Sequence, residues 1–155
     1  MAEWRLFDQV GEVVRATTPP ELGRPHLRVH GGGLKVWFGG AEAPREHYEA
    51  QVVAAEVAGG RVLEIGFHAE HRREADNEAV LARLLAAEPR WRPVLGEETV
   101  AGAFLGAAAW RRVSETWADP DLEDREAVFE IGVRLVEYMT ALEPLRGAAD
   151  RAVSL

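Results

Sequence analysis

The stretch from His47 to His71, HYEAQVVAAEVAGGRVLEIGFHAEH, alternates apolar with polar or small residues on both sides of Gly59-Gly60. Two consecutive glycines suit the positive φ angles of a tight hairpin turn. Folding the stretch there sets Val52 opposite Phe67, Ala54 opposite Ile65, Ala50 opposite Ala69 and Tyr48 opposite His71, which makes a mainly apolar layer. The other side of the ribbon then carries His47, Glu49, Gln51, Val53, Ala55, Glu64, Gly66, His68 and Glu70, with Gln51 across from His68 and Glu49 across from Glu70. A slip of one residue would exchange the two faces, so the clean separation is itself an argument for strands. The competing reading is a helix from Pro44 to Gly59, with proline in its first turn and glycine past its end. The strand is preferred because Val62 to Ala69 is rich in β-forming residues and needs a partner.

The remaining segments supply what this hairpin must pack against. Trp4, Phe7, Val10 and Val14 recur at helical spacing between Glu3 and Ala16, and Thr17-Thr18-Pro19-Pro20 ends that helix. Leu27 and Val29, then Leu34, Val36 and Phe38, alternate on either side of Gly31-Gly32-Gly33, which predicts a second hairpin. The triple glycine lacks the spacing of a phosphate-binding loop and no helix follows it. Val80, Leu81, Leu84 and Leu85 make the apolar face of a helix over residues 73–88, capped by Asp76 or Asn77 and ended before Pro89. Arg90 to Leu95 reads as a short edge strand because of Pro93. Thr99 to Leu105 is expected to be a loop or short helix, followed by a strand over residues 108–117. Asp119-Pro120 has the form of an N-cap and first helical residue, opening a long helix that Pro144 stops at Glu143, with a frayed tail from about residue 147.

With no linker and no repeat, residues 1–155 are expected to form a single α+β domain: an antiparallel sheet of about five to six strands with helices packed mainly on one face. Hydrophobic residues at 47% and charged residues at 28% fit one buried core. No apolar run is long enough to cross a bilayer, and MAEWRLF lacks a basic region leading into a signal segment, so a cytoplasmic location is expected. Seventeen of the eighteen basic residues are arginine, the exception being Lys35, which we ascribe to a GC-rich bacterial genome.

The absence of cysteine excludes disulfides, thiolate catalysis and cysteine-ligated metal sites. A net charge of -8 opposes nucleic-acid binding, and the short basic pairs at Arg72-Arg73, Arg90 with Arg92, and Arg111-Arg112 have acidic neighbours and read as solvated surface. Ser114 is flanked by arginines and a glutamate in what reads as an exposed strand, and it sits in no nucleophile-elbow motif.

What chemistry the chain offers lies on the polar face of the central hairpin. Glu49 opposite Glu70 sets two carboxylates against each other, and a cation, an arginine or a shared proton must compensate. Water exposure with Arg28, Arg45 or Arg72 nearby would do so and leave an ordinary polar surface. The primary functional expectation is a non-catalytic binding or interaction domain without a cofactor, homodimeric, contacting a protein or small molecule through His47, Glu49, Gln51, Glu64, His68 and Glu70. The aromatic rings of Trp37, Trp110 and Trp117 are further contacts on that reading. The alternative is a metal-assisted hydrolase in which Glu49, His68 and Glu70 hold a divalent ion, supported by His47 or Glu64.

Overall fold

The computed structural model describes residues 2–42 and 44–154, with side chains for residues 5–42, 44–54 and 57–146. Among these residues the chain runs through α1 (Ala2–Thr17), a 3-10 turn (Pro20–Leu22), β1 (His26–His30), β2 (Gly33–Trp37), β3 (Glu46–Val53) and α2 (Ala55–Ala58). It continues through β4 (Val62–Ala69), α3 (Glu74–Ala86), α4 (Glu88–Leu95), β5 (Val100–Phe104), β6 (Ala107–Ala118) and α5 (Arg125–Ser154). The strands form one antiparallel sheet in the order β1-β2-β3-β4-β6-β5, so the expected α+β class is the observed one. No helix among the described residues is long and apolar enough to cross a membrane.

The alternation in the sequence places Leu34, Val36, Tyr48, Ala50, Leu63, Ile65, Phe67, Ala69 and Val113 on one face of this sheet. They join Phe7, Val10 and Val14 of α1, Val80 and Leu84 of α3, and Ile131, Leu135, Met139 and Leu142 of α5 in a single apolar core. Tyr48 sits at its border, where its hydroxyl donates to Glu143 of α5 at 2.8 Å.

The central hairpin forms, but not as a tight turn. Val53 pairs with Val62 and the intervening residues make the short α2 before Gly59, whose φ is 77°. Gln51 therefore faces Glu64, Glu49 faces Gly66, Val52 faces Leu63 and Tyr48 faces Phe67. The slip from the expected register is an even number of residues, so each side chain keeps its expected face while its partner changes.

Five other expectations are corrected. Residues 90–95 belong to a helix, α4, because Trp91 and Leu95, one turn apart, both enter the core and the Trp91 indole donates to Leu84 O at 2.7 Å. Residues 100–104 form an edge strand, β5, held by backbone pairing to β6 despite their weak intrinsic β preference. Neither Asp76 nor Asn77 caps α3, whose N-cap position is Arg73; Asn77 is buried and ties the His71 backbone to Ala109 O.

At the last helix, Asp119 continues the sheet by bonding Arg61 O and then turns with φ 45°, so α5 starts only at Arg125, after Asp124 accepts from the Glu126 amide. Pro144 does not stop α5. Its missing hydrogen bond is tolerated because Glu143 and Arg146, on either side of it, are anchored to Tyr48 and Glu46 of β3.

Gly66 lies at the centre of the sheet, opposite both Glu49 and Ser114. A Cβ there would stand 2.4 Å from Val113 O and 2.5 Å from Ser114 Cα, both fixed backbone atoms of β6. We expect Gly66→Ala to cost about 2 kcal/mol or more in urea unfolding. Gly60→Ala, where a Cβ meets nothing within 4 Å, should change little and serves as the control.

Candidate functional site

The second face of the sheet carries the polar residues. Period-2 alternation puts His47, Glu49 and Gln51 of β3 on it, next to Glu64, Gly66 and His68 of β4 and Arg112 and Ser114 of β6. His47 pairs directly with His68. Gly66 offers no side chain opposite Glu49, so the Glu49 carboxylate can lie over that gap and reach both imidazoles. Glu70 follows the end of β4, where its amide donates to Arg45 O.

The expectation of a solvated polar surface is corrected here. His68 and Glu64 are fully buried, His47 is 1% exposed and Glu49 5%. Over His68 the cover comes from the β6–β5 edge of the same face: the Phe104 ring stands edge-on 4.6 Å from His68, and Trp110 packs against Phe104 in turn. Ser114 and Arg112, expected on an exposed strand, are also buried.

Two imidazoles and two carboxylates converge. His47 Nε2 lies 3.1 Å from Glu49 Oε1 and 3.4 Å from Glu70 Oε2, and His68 Nδ1 lies 3.2 Å from Glu49 Oε1 and 3.3 Å from Glu70 Oε2. One ligand atom from each of the four residues falls within 4.8 Å of all the others. The outer nitrogens are committed elsewhere. His47 Nδ1 meets Pro44 O at 3.1 Å, and His68 Nε2 meets both oxygens of Glu64 at 3.0 Å. A carbonyl and a carboxylate can only accept, so both outer nitrogens carry hydrogen. If the rings are neutral, the inner nitrogens turn lone pairs toward two carboxylate oxygens, and only added positive charge makes that arrangement stable.

The surrounding residues fix the carboxylates in turn. His30 Nδ1 accepts from the Gly32 amide at 3.4 Å, so its Nε2 donates to Glu49 Oε2 at 2.7 Å and leaves Oε1 for the inner pair. Glu64 accepts from Gln51 at 2.8 Å and from Ser114 at 2.7 Å, and Arg112 donates to the Ser114 hydroxyl at 2.9 Å.

Burial works against every charge in this group, yet the partners prevail. For Glu49, hydrogen bonds from His30, His47 and His68 overcome burial and hold the carboxyl far below its ordinary range. Burial likewise opposes ionisation of Glu70 and Glu64; His47 and His68 bring Glu70 down to about 2, and His68, Ser114 and Gln51 keep Glu64 low. Burial would depress both histidines, but Glu49 and Glu70 raise His47, and Glu64 with the other two carboxylates raises His68 well above the ordinary value.

Of the residues expected at the site, the structure brings together His47, Glu49, Gln51, Glu64, His68 and Glu70. Trp37 lies apart from them, 4% exposed, its indole donating to Gly40 O and its ring stacked on His26. Trp117 donates to Glu115 on β6. Sequence reasoning missed His30, Arg112 and Ser114. The signal for His30 was available only through two registers at once, because Gly33 pairs with both His30 and Gln51. The chain matches no protein-family model, no curated protein and no solved structure.

The depressed carboxylates contribute stability that is complete above their ordinary value of 4.5 and is lost as pH falls through their folded-state values. The raised histidines contribute stability that is complete below 6.5 and is lost as pH rises through theirs. In EDTA we expect the urea midpoint to be highest between these two values and to fall as the pH is raised through the alkaline range. A midpoint that climbs over that alkaline range would contradict the protonated histidine pair.

Proposed function

We propose that the protein is a binding domain for one divalent cation, held by His47 Nε2, Glu49 Oε1, His68 Nδ1 and Glu70 Oε2. What carries this reading is the pair of buried imidazoles whose outer nitrogens are already bonded, so that both inner nitrogens face two carboxylate oxygens across a common point. Metal-ligating histidines are held in this way, with the far N–H given to a carbonyl or carboxylate. A divalent ion at that point would replace the two protons that otherwise keep the lone pairs apart.

The same arrangement favours a non-catalytic role over the metal-assisted hydrolase. A catalytic zinc keeps one coordination position for water or substrate, whereas four protein donors complete a tetrahedral shell. His68 and Glu64 have no solvent-exposed surface, and Glu70, at 15%, is the most open of the four donors. Binding to the folded state raises stability with free cation concentration, by about 2.7 kcal/mol at a hundredfold excess over Kd.

The test is native mass spectrometry on protein stripped with EDTA and then supplied with a panel of divalent cations. We expect one ion per chain and a raised melting temperature. Glu70→Gln, chosen because this residue is partly exposed and removes one charged donor, should weaken uptake at least tenfold. Failure of every cation to bind the folded protein would overturn the reading.

A further inference from the structure

Resting on that reading of the site, we infer that its cation is of the zinc class, bound by two nitrogens and two oxygens in a four-coordinate shell, and that Glu64 is the positioning residue that sets His68 for it. The spacing of the donors is the first argument. Bonds of about 2.0–2.1 Å at tetrahedral angles place neighbouring donors about 3.3–3.4 Å apart. Four of the six donor–donor separations, those between nitrogen and oxygen, are 3.1, 3.4, 3.2 and 3.3 Å, and the nitrogen–nitrogen and oxygen–oxygen pairs lie within 4.8 Å. Charge-assisted hydrogen bonds are shorter, about 2.7–2.9 Å. Bonds elsewhere in the same network do reach that length, with His30 to Glu49 and Ser114 to Glu64 both at 2.7 Å. The inner ring of contacts is therefore loose for ion pairs and well spaced for co-ligands.

The donor chemistry is the second argument. Calcium takes six to eight oxygens, and magnesium keeps octahedral geometry with several waters. Here half of the inner donors are imidazole nitrogens, and Phe104 stands against one of the rings. Imidazole with carboxylate at four positions suits zinc, and cobalt(II) as its spectroscopic substitute.

Charge gives the third. Glu49 and Glu70 neutralise a dication, while Glu64 has its own counter-charge in Arg112 through the Ser114 hydroxyl. Glu64 grips His68 Nε2 with both oxygens, which fixes the ring so that Nδ1 faces the centre. Carboxylate partners of this kind typically contribute ten- to hundredfold in metal affinity.

Stripped protein should be titrated separately with zinc, cobalt(II), manganese(II), magnesium and calcium, with binding read by native mass spectrometry and by competition against a chromophoric chelator. We expect zinc and cobalt(II) to survive gel filtration and magnesium and calcium to be lost. The cobalt(II) protein should show the intense visible absorption of a four-coordinate ion. Glu64→Gln should weaken zinc ten- to hundredfold while the cobalt spectrum keeps its four-coordinate form, and the metal-free melting temperature should fall because His68 loses a buried carboxylate partner. If that variant does not fold, Ser114→Ala, which releases one Glu64 oxygen, should weaken zinc in the same direction. Binding of no cation would remove the site itself. Magnesium, calcium or manganese held as tightly as zinc, or a faint six-coordinate cobalt spectrum, would leave a metal site standing and overturn the zinc assignment. Unchanged zinc affinity in folded Glu64→Gln would overturn the role given to Glu64.

Discussion

Glu49, Glu64 and Glu70 carry three carboxylates on the inner side of a sheet where two of them have almost no access to water. Burying a carboxylate is costly unless it is paired and hydrogen-bonded, and removing one partner of a buried pair costs more than the pair contributes. The strands around these groups are arranged to satisfy that demand. His47 and His68 come from paired positions of β3 and β4, Ser114 and Arg112 reach in from β6, and His30 closes the outer oxygen of Glu49 from the end of β1. Five of the six strands thus contribute a hydrogen-bonding or covering group, with Phe104 supplied by β5.

The opposite face supplies the apolar stability that such a network cannot. Aliphatic and aromatic residues of β2, β3, β4 and β6 pack with α1, α3 and α5 in one core, and burial of this kind is the main favourable contribution to folding. Where charge enters this side it is also paired: Glu115 of β6 accepts from Arg134, Tyr138 and Trp117, with burial opposing its ionisation and Arg134 prevailing. Gly66 joins the two faces. Its lack of a side chain lets β6 approach closely, and the same gap gives the Glu49 carboxylate room to reach both imidazoles.

Much of this was legible because side-chain alternation survives errors that pairing does not. The assumed turn at Gly59-Gly60 misplaced the partners of Glu49 and Gln51, yet an even slip left His47, Glu49, Glu64 and His68 on one face. Six of the residues named from sequence do meet. Their burial was not legible, since it depends on Phe104 and Trp110 closing over the face, and residues 101–103 are alanine and glycine where strands favour branched or aromatic residues. The pairing of β5 with β6 is a tertiary decision. So are the passage of α5 through Pro144, held by contacts to β3, and the helical state of residues 88–95, held by Trp91 donating to Leu84 O and by Arg134 of α5 donating to Leu95 O.

An independent core changes what a bound ion does for such a chain. Small metal domains that lack a core fold only when the ion arrives, so their binding energy is spent on ordering the chain. Here the strands, the second-layer bonds from Pro44 and Glu64, and the His30 contact already orient the donors before any ion is present. Cation binding of the kind proposed would then displace protons from a formed site, and less of its free energy would go into conformational ordering. The balance of charge fits either occupant: with Arg112 set against Glu64, the carboxylates of Glu49 and Glu70 are matched by two imidazolium protons or by one dication. One geometry therefore keeps the buried carboxylates compensated in both states, and the sheet can hold the same register with or without the ion.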